Sequence, residues 1–270
     1  MVFTADPVLV AGSTGYIGRL LAGRLLEQGV PVRCLARNPE KAADLERAGC
    51  EVVAGDVLDR DSLAGPLSGV RVAFYLVHSM GRGADGDFAE TDILAATNFA
   101  EAAAEAGVER IVYLGGLGEG GSKHLRSRHD TASALGSTGL DLTYLRAAVV
   151  IGAGSESFRT IYWLVKRLPA MVTPRWTGTR TQPIAVDDVV ECLCRSLELE
   201  GSSEIQIAGP EVTTYGGMMD GVARAMGKRP PIRVGVPLLT PKLSALWLGL
   251  VTPVDVGVAR PLVEGLSTET

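Results

Sequence analysis

The chain has 270 residues, 46% hydrophobic and 21% charged, with a net charge of −5. Such a composition fits a soluble globular protein built as one large α/β domain, or one domain with a small appended lobe. The acidic balance argues against nucleic acid as the main partner, since phosphate backbones call for a basic face. An anionic small ligand needs only a local positive site and stays open.

Residues 7–11 (PVLVA) read as a first strand that runs into AGSTGYIG (11–18). Residues 16–28 follow with apolar positions at helical spacing. VRCLA (32–36) reads as the second strand, 39–49 as a helix stopped by Gly49, and EVVAG (51–55) as the third strand. Residues 60–69 read as a short helix, RVAFYLV (71–77) as the fourth strand and 87–107 as a long helix. ERIVYLGG (109–116) is the fifth strand, 127–139 helix and turn, and LDLTYLRAAVV (140–150) the sixth strand. The strands are near-continuous apolar runs, as in a parallel sheet covered on both faces. The pattern predicts an α/β fold, a doubly wound Rossmann sheet of about seven strands in the order 3-2-1-4-5-6.

Beyond residue 150 the alternation loosens. Helices are expected over 155–169, 187–198 and 214–227, loop and short strand over 171–186, and a seventh strand over 203–210. The expected organisation is a dinucleotide-binding core over 1–150. Residues 151–270 add a substrate-side lobe, the last strand and C-terminal helices at 240–250 and 254–265. No linker is long enough to separate two independent domains. The C-terminal helices suit either a homo-oligomer contact or the docking of a further domain.

Cys34, Cys50, Cys192 and Cys194 form no zinc-type pair and read as buried free thiols. No three-ligand metal pattern appears. The first residues lack the basic and apolar regions of a secretory signal. The apolar stretch 234–254 is broken by Pro237, Pro241 and Lys242, so no membrane span of about 20 apolar residues is expected. Together these readings favour the cytoplasm.

Glycines at 12, 15 and 18 sit between a strand and a helix, where they suit a dinucleotide's pyrophosphate. Gly12 permits the tight turn, Gly15 the approach of the phosphates and Gly18 close helix packing. The amino end of the helix adds free N–H groups and a positive dipole. Ser13, Thr14, Tyr16 and Ile17 lie in the same turn. With this GxxGxxG spacing the chain resembles the short-chain dehydrogenase/reductase superfamily in its extended and atypical branches. GSTGYIG, LARNPEK (35–41), GDVLD (55–59), VYLGGLG (112–118) and TYLRAAVVIGAGS (143–155) carry the likeness over most of the chain. Within that superfamily it is similar to NmrA-like NAD(P)H-binding proteins. FYLVHSMG (74–81) and LPAMVTPRW (168–176) look like a bacterial subgroup in which this domain often precedes a second one.

Just past the second strand an acid favours NAD, whereas an arginine suits the 2′-phosphate of NADP. Arg37 stands there, followed by Asn38 and, one helical turn on, Lys41, so NADP(H) is preferred over NAD(H). The family likeness implies that Asp56 meets the adenine amino group, with Val57 offering backbone. Val77, His78 and Ser79 end the fourth strand, and Leu114, Gly115 and Gly116 the fifth, on the edge where the ligand should lie. Gly115 and Gly116 are expected to let the nicotinamide ribose approach the backbone.

The family's usual catalytic pair is a Tyr and a Lys four residues apart on the helix after strand five. No YxxxK occurs between 111 and 146. HLRSR stands in the corresponding place, with His124 and Arg128 at i,i+4. His124 suits a general acid, and Arg128 can hold ribose or phosphate oxygens. His78 is a second candidate acid or a shaper of the pocket, and His129 reads as surface. GRGADG (81–86) reads as a lid, with Arg82 or Asp87 near substrate, and Tyr162, Arg175 and Trp176 as lining from the lobe.

The first reading is an NADP(H)-dependent reductase that transfers hydride to a small organic substrate, such as an enone, quinone, imine or ketone. The alternative is a non-catalytic NAD(P)H-binding or redox-sensing protein. Redox-neutral chemistry on a bound cofactor is a third possibility that no residue selects.

Overall fold

A computed structural model of the chain describes residues 6–78, 88–118, 123–173 and 175–235. The readings placed on Ser79, Arg82, Asp87 and the C-terminal helices lie outside the described residues, as do those on the side chains of His124, Arg175 and Trp176.

Seven strands form the central sheet: β1 (Val8–Ala11), β2 (Val32–Ala36), β3 (Glu51–Ala54), β4 (Val72–Tyr75), β5 (Arg110–Gly116), β6 (Asp141–Ala147) and β7 (Ser203–Ile207). Their order is β3-β2-β1-β4-β5-β6-β7, and every pairing is parallel. The Rossmann order expected from the sequence is borne out, with the seventh strand outside β6. The switch point falls between β1 and β4, where successive crossovers leave in opposite directions and ligands bind at the carboxyl edge.

The helices are α1 (Tyr16–Glu27), α2 (Ala43–Ala48), α3 (Ala64–Leu67), α4 (Phe88–Glu105), α5 (Lys123–Leu135), α6 (Glu156–Arg167), α7 (Val186–Arg195) and α8 (Tyr215–Ala225). Side-chain alternation along each strand divides the core in two. Val8, Val10, Phe74 and Val112 pack with Leu21 and Leu25 of α1 and Val189 and Leu193 of α7. Leu9, Ala11, Tyr75, Ile111 and Tyr113 face the other way, onto Ala96, Phe99 and Ala103 of α4 and Leu135 of α5. The small alanines of α4 let it lie close to the sheet. Phe99 is fully buried there, worth about 1.5–3 kcal/mol for such a side chain.

A third apolar cluster lies beyond the sheet. Ile161, Leu164 and Val165 of α6 pack on Met171 and on Tyr215, Met218, Met219 and Val222 of α8. Three two-stranded ribbons frame it. Val150–Ile151 pairs in parallel with Ile184–Ala185, Arg180–Thr181 antiparallel with Thr213–Thr214, and Ala170–Thr173 in parallel with Ile232–Gly235. The second half is not segregated: α7 and β7 return to the main core while α6 and α8 build this cluster. Among the described residues no helix is long and apolar enough to cross a membrane, and no His/Cys/Asp/Glu group could hold a metal ion.

Candidate functional site

The β1–α1 turn stands at the switch point. Gly12 has φ +89°, and a Cβ there would lie 2.7 Å from the carbonyl oxygen of Leu76. Both the left-handed conformation and the close pass of the β4 exit require glycine. A Cβ on Gly18 would overlap the Gly12 carbonyl oxygen, so the helix packs directly on the turn. Gly15 caps α1 with extended backbone, and its N–H donates to Gly12 O at 2.9 Å. No side chain caps this helix and its first turn holds no acid. The leading N–H groups at Tyr16, Ile17 and Gly18 thus have neither helical partners nor a local carboxylate, an arrangement suited to an anion.

The side chains of the turn have other work. Ser13 is fully buried and donates its hydroxyl to Leu35 O at 3.1 Å. It fastens the turn to β2. Ile17 packs on the core, and the Tyr16 ring lies against Gly152 and Gly154. Thr14 and Gly15 face an open cleft of about 930 Å³, counting its mouth.

That cleft runs from the glycine turn past Arg37 to Asp56 and Val57, and past Val77 and His78 to Thr91 and Ala95 of α4. Arg37 is exposed at the end of β2. Asn38 turns its Oδ1 back to accept from Glu40 N at 3.0 Å, capping the 3₁₀ turn Pro39–Ala42. Lys41 is exposed beside the cleft rather than in its lining. Asp56 Oδ1 accepts from Leu58 N at 3.1 Å, while Ser62 Oγ accepts from Asp56 N at 2.9 Å. The carboxylate is thereby held in a tight turn with one oxygen engaged. Val57 O accepts from Asn98 Nδ2 at 3.1 Å, which ties this wall to α4.

Across β4, β5 and β6, three tyrosines stand side by side, at the end of β4 and in the middle of β5 and β6. Tyr75 is the register partner of Tyr113, and Tyr113 of Tyr144. Their ring centroids are 6.2 Å and 5.2 Å apart, and all three are buried. A Cβ on Gly115 would lie 2.6 Å from the Tyr144 ring. The empty side of Gly115 is filled by a tyrosine from β6. Leu114 points the other way, onto the core beside α1, and Gly116 pairs with Ala147 at the strand end.

His124 and Arg128 both fall within α5, which begins before the expected helix, so the i,i+4 relation is real along the backbone. Arg128 is half-buried, and its charge bears on both Tyr75 and Tyr144. Burial pushes the Tyr144 phenol up to about 12, with Tyr113 adding and Arg146 and Arg128 opposing. Burial likewise raises Tyr75, with Asp92 and Tyr113 adding and Arg128 opposing. Both phenols therefore stay protonated at neutral pH. His129 is exposed, and Tyr162 lies half-buried, edge-on to Trp163 in α6.

A family model for NAD(P)H-binding proteins matches residues 12–162, from the glycine turn through β6 into α6. The chain belongs to this NAD(P)H-binding family. Among curated relatives, it is 41% identical over 107 residues to a (4-alkanoyl-5-oxo-2,5-dihydrofuran-3-yl)methyl phosphate reductase of Streptomyces griseus, covering 40% of this chain and 33% of that one. It is 27% identical over 235 residues to an uncharacterized protein of Mycobacterium tuberculosis, covering 86% of this chain and 24% of that protein. The chain thus spans a third or less of these relatives. The fold matches Citrobacter sp. triphenylmethane reductase complexed with NADP(H), at TM-score 0.78 and 22% identity, over 96% of this chain and 88% of that chain. It also matches Thermus thermophilus UDP-glucose 4-epimerase in complex with NAD, at TM-score 0.70 and 18% identity, over 96% and 98%. Reductases and epimerases share the architecture, so the fold does not choose between their chemistries.

For an NAD(P)H-binding protein the residues fit their ligand: Gly12 and Gly18 carry the turn, and the uncapped helix end faces the cleft. Sequence reasoning missed Arg19. Its Nε donates to Thr14 O at 3.2 Å and its Nη2 to Lys41 O at 2.6 Å, and it pairs with Asp44. It thereby joins the glycine turn to the segment carrying Arg37. Asn98 and the tyrosine row were missed as well. No local motif marks any of them, although Tyr75, Tyr113 and Tyr144 each stand in an apolar run.

Proposed function

We propose that the chain is an NADP(H)-dependent reductase transferring hydride to a small organic electrophile such as an enone, quinone, imine or ketone. The observation that carries this reading is the continuous cleft joining the glycine turn and Arg37 to His78 at the β4 edge. Similarity to a reductase over 40% of the chain supports it. In this reading the uncapped end of α1 binds the pyrophosphate, and the exposed Arg37 guanidinium pairs with a 2′-phosphate. The dinucleotide, when bound, supplies the hydride.

The chain's own residues orient substrate and handle charge. Arg128 steadies negative charge developing on a substrate oxygen, with the protonated phenols of the tyrosine row beside it. His78, His124, the substrate itself or water supplies the proton that the absent Tyr–Lys pair would deliver. Residues from 151 onward close the substrate side, around the α6–α8 cluster.

The deciding experiment mixes the protein and NADPH with a panel of enones, quinones, imines and ketones and follows NADPH absorbance. Oxidation above the protein-free rate with at least one class is expected. Tight NADPH binding without turnover on any class would replace this reading with a second, the non-catalytic NAD(P)H-binding protein. The lack of YxxxK between residues 111 and 146 favours that second reading.

A further inference from the structure

We infer that Tyr16 is a positioning residue that couples occupancy of the phosphate turn to the order of the α6–α8 lobe. This rests on the reading that the turn holds a dinucleotide. Tyr16 is the first residue of α1, so its backbone N–H faces the phosphate site while its ring leaves in another direction. The ring lies over the turn that follows β6. A Cβ on Gly152 would stand 2.5 Å from the Tyr16 hydroxyl, and one on Gly154 2.5 Å from Cγ of the ring. Both positions are glycine because a tyrosine from 136 residues or more upstream fills their side-chain space.

The contact continues into the lobe without a break. Ser155 N donates to Gly152 O at 3.0 Å, closing the turn under the ring. Ser155 Oγ then caps α6 by accepting from Phe158 N at 3.4 Å. α6 buries Ile161, Leu164 and Val165 against Met218, Met219 and Val222 of α8. On the other side, a Cβ on Gly152 would stand 2.9 Å from Val186, the first residue of α7. One ring therefore sets the start of α6 beside the start of α7. Phosphates held at the α1 amino end immobilise the first helical turn, and with it the base of the ring. Close-packed groups pass such a constraint on rather than absorbing it. Occupancy of the turn orders α6, and by linkage a ligand on the lobe tightens the dinucleotide.

The test is hydrogen–deuterium exchange of the full chain with and without saturating NADPH, followed in peptides covering residues 152–167. NADPH fluorescence in the same samples records occupancy. In the wild type and in Tyr16→Phe, which keeps the ring, NADPH should slow exchange by about 5- to 100-fold, the usual range of coupling between sites. In Tyr16→Ala at full occupancy the effect should fall below about twofold of the unbound rate. Gly154→Ala, which displaces the ring from the lobe side, should behave like Tyr16→Ala. Wild-type protection retained in Tyr16→Ala, or no protection in wild type with NADPH bound, overturns the coupling. A wild-type chain that takes up no NADPH overturns the dinucleotide reading beneath it instead.

Discussion

Gly12 is the residue on which the turn depends. Its φ of +89° and the Leu76 carbonyl 2.7 Å from the Cβ position exclude any side chain. Gly12→Ala should lose at least about 2 kcal/mol of stability from backbone strain and overlap combined, and lose the thermal shift that NADPH confers on the wild type. Melting curves with and without NADPH check both. Arg37 makes the opposite demand, since among the described residues no side-chain bond or ion pair holds it and its value lies in its charge. Arg37→Asp should weaken NADPH about 10- to 100-fold relative to NADH, the worth of one charge-assisted contact. Titration with both cofactors measures this, and an unchanged ratio would remove the NADP assignment. The placement of these two residues was legible because it follows from positions along a strand–turn–helix unit. What surrounds Ser13 and Gly115 was not legible, for the converse reason. The Ser13 hydroxyl answers to Leu35 and the space at Gly115 to Tyr144, both distant in sequence.

Among elements, the middles of β2 and β6 carry buried acidic protons. Burial, with Cys50 adding, pushes the Cys34 thiol of β2 up to about 12, and burial raises Tyr144 of β6 to about 12. A group whose folded pKa lies above its unfolded value keeps its proton in the folded state after the unfolded chain has released it. Its stabilisation is complete below the unfolded pKa and is lost as pH rises toward the folded one. Stability should therefore be level near pH 8 and fall between about pH 9 and 12. Cys34→Ala should flatten that fall by up to about 1.4 kcal/mol per pH unit, read from urea midpoints at stepped alkaline pH. The lobe elements depend on a different device. Arg233 donates to both carboxylate oxygens of Asp220, at 2.6 Å and 2.9 Å, and to Gly216 O at 2.9 Å. It joins the ribbon strand Ile232–Gly235 to α8. Arg233→Met leaves a three-quarters-buried Asp220 carboxylate without that partner, and should cost about 1–3 kcal/mol in urea unfolding. The long helices and apolar strands of the sheet were legible from periodicity. The ribbon strand Ile232–Gly235 was not, because its apolar Ile232 and Val234 are exposed while Arg233 is partly buried, the reverse of the usual pattern in a run of only four residues.

For the whole molecule, the parallel sheet makes cofactor and fold interdependent. The cleft is walled by the end of β2, the segments that follow β1, β3 and β4, and α4 together, so a ligand there stabilises their assembly. NADPH at a hundred times its Kd should add about 2.7 kcal/mol. For a domain of this size that is a melting rise of about 5–10 °C, measurable by differential scanning calorimetry. The sequence by itself determined the β/α alternation, the strand order and the glycine turn between β1 and α1. Each arises from short-range pattern, handedness and the geometry of one crossover, which few topologies satisfy. Only the tertiary structure decided which residues share the site: Arg19 bridging the turn to Lys41, Asn98 holding Val57, Tyr144 filling the space at Gly115, and Tyr16 resting on Gly152 and Gly154. These contacts depend on how close two packed elements come. That distance is set by the volumes of all the side chains between them, which no local stretch of sequence encodes.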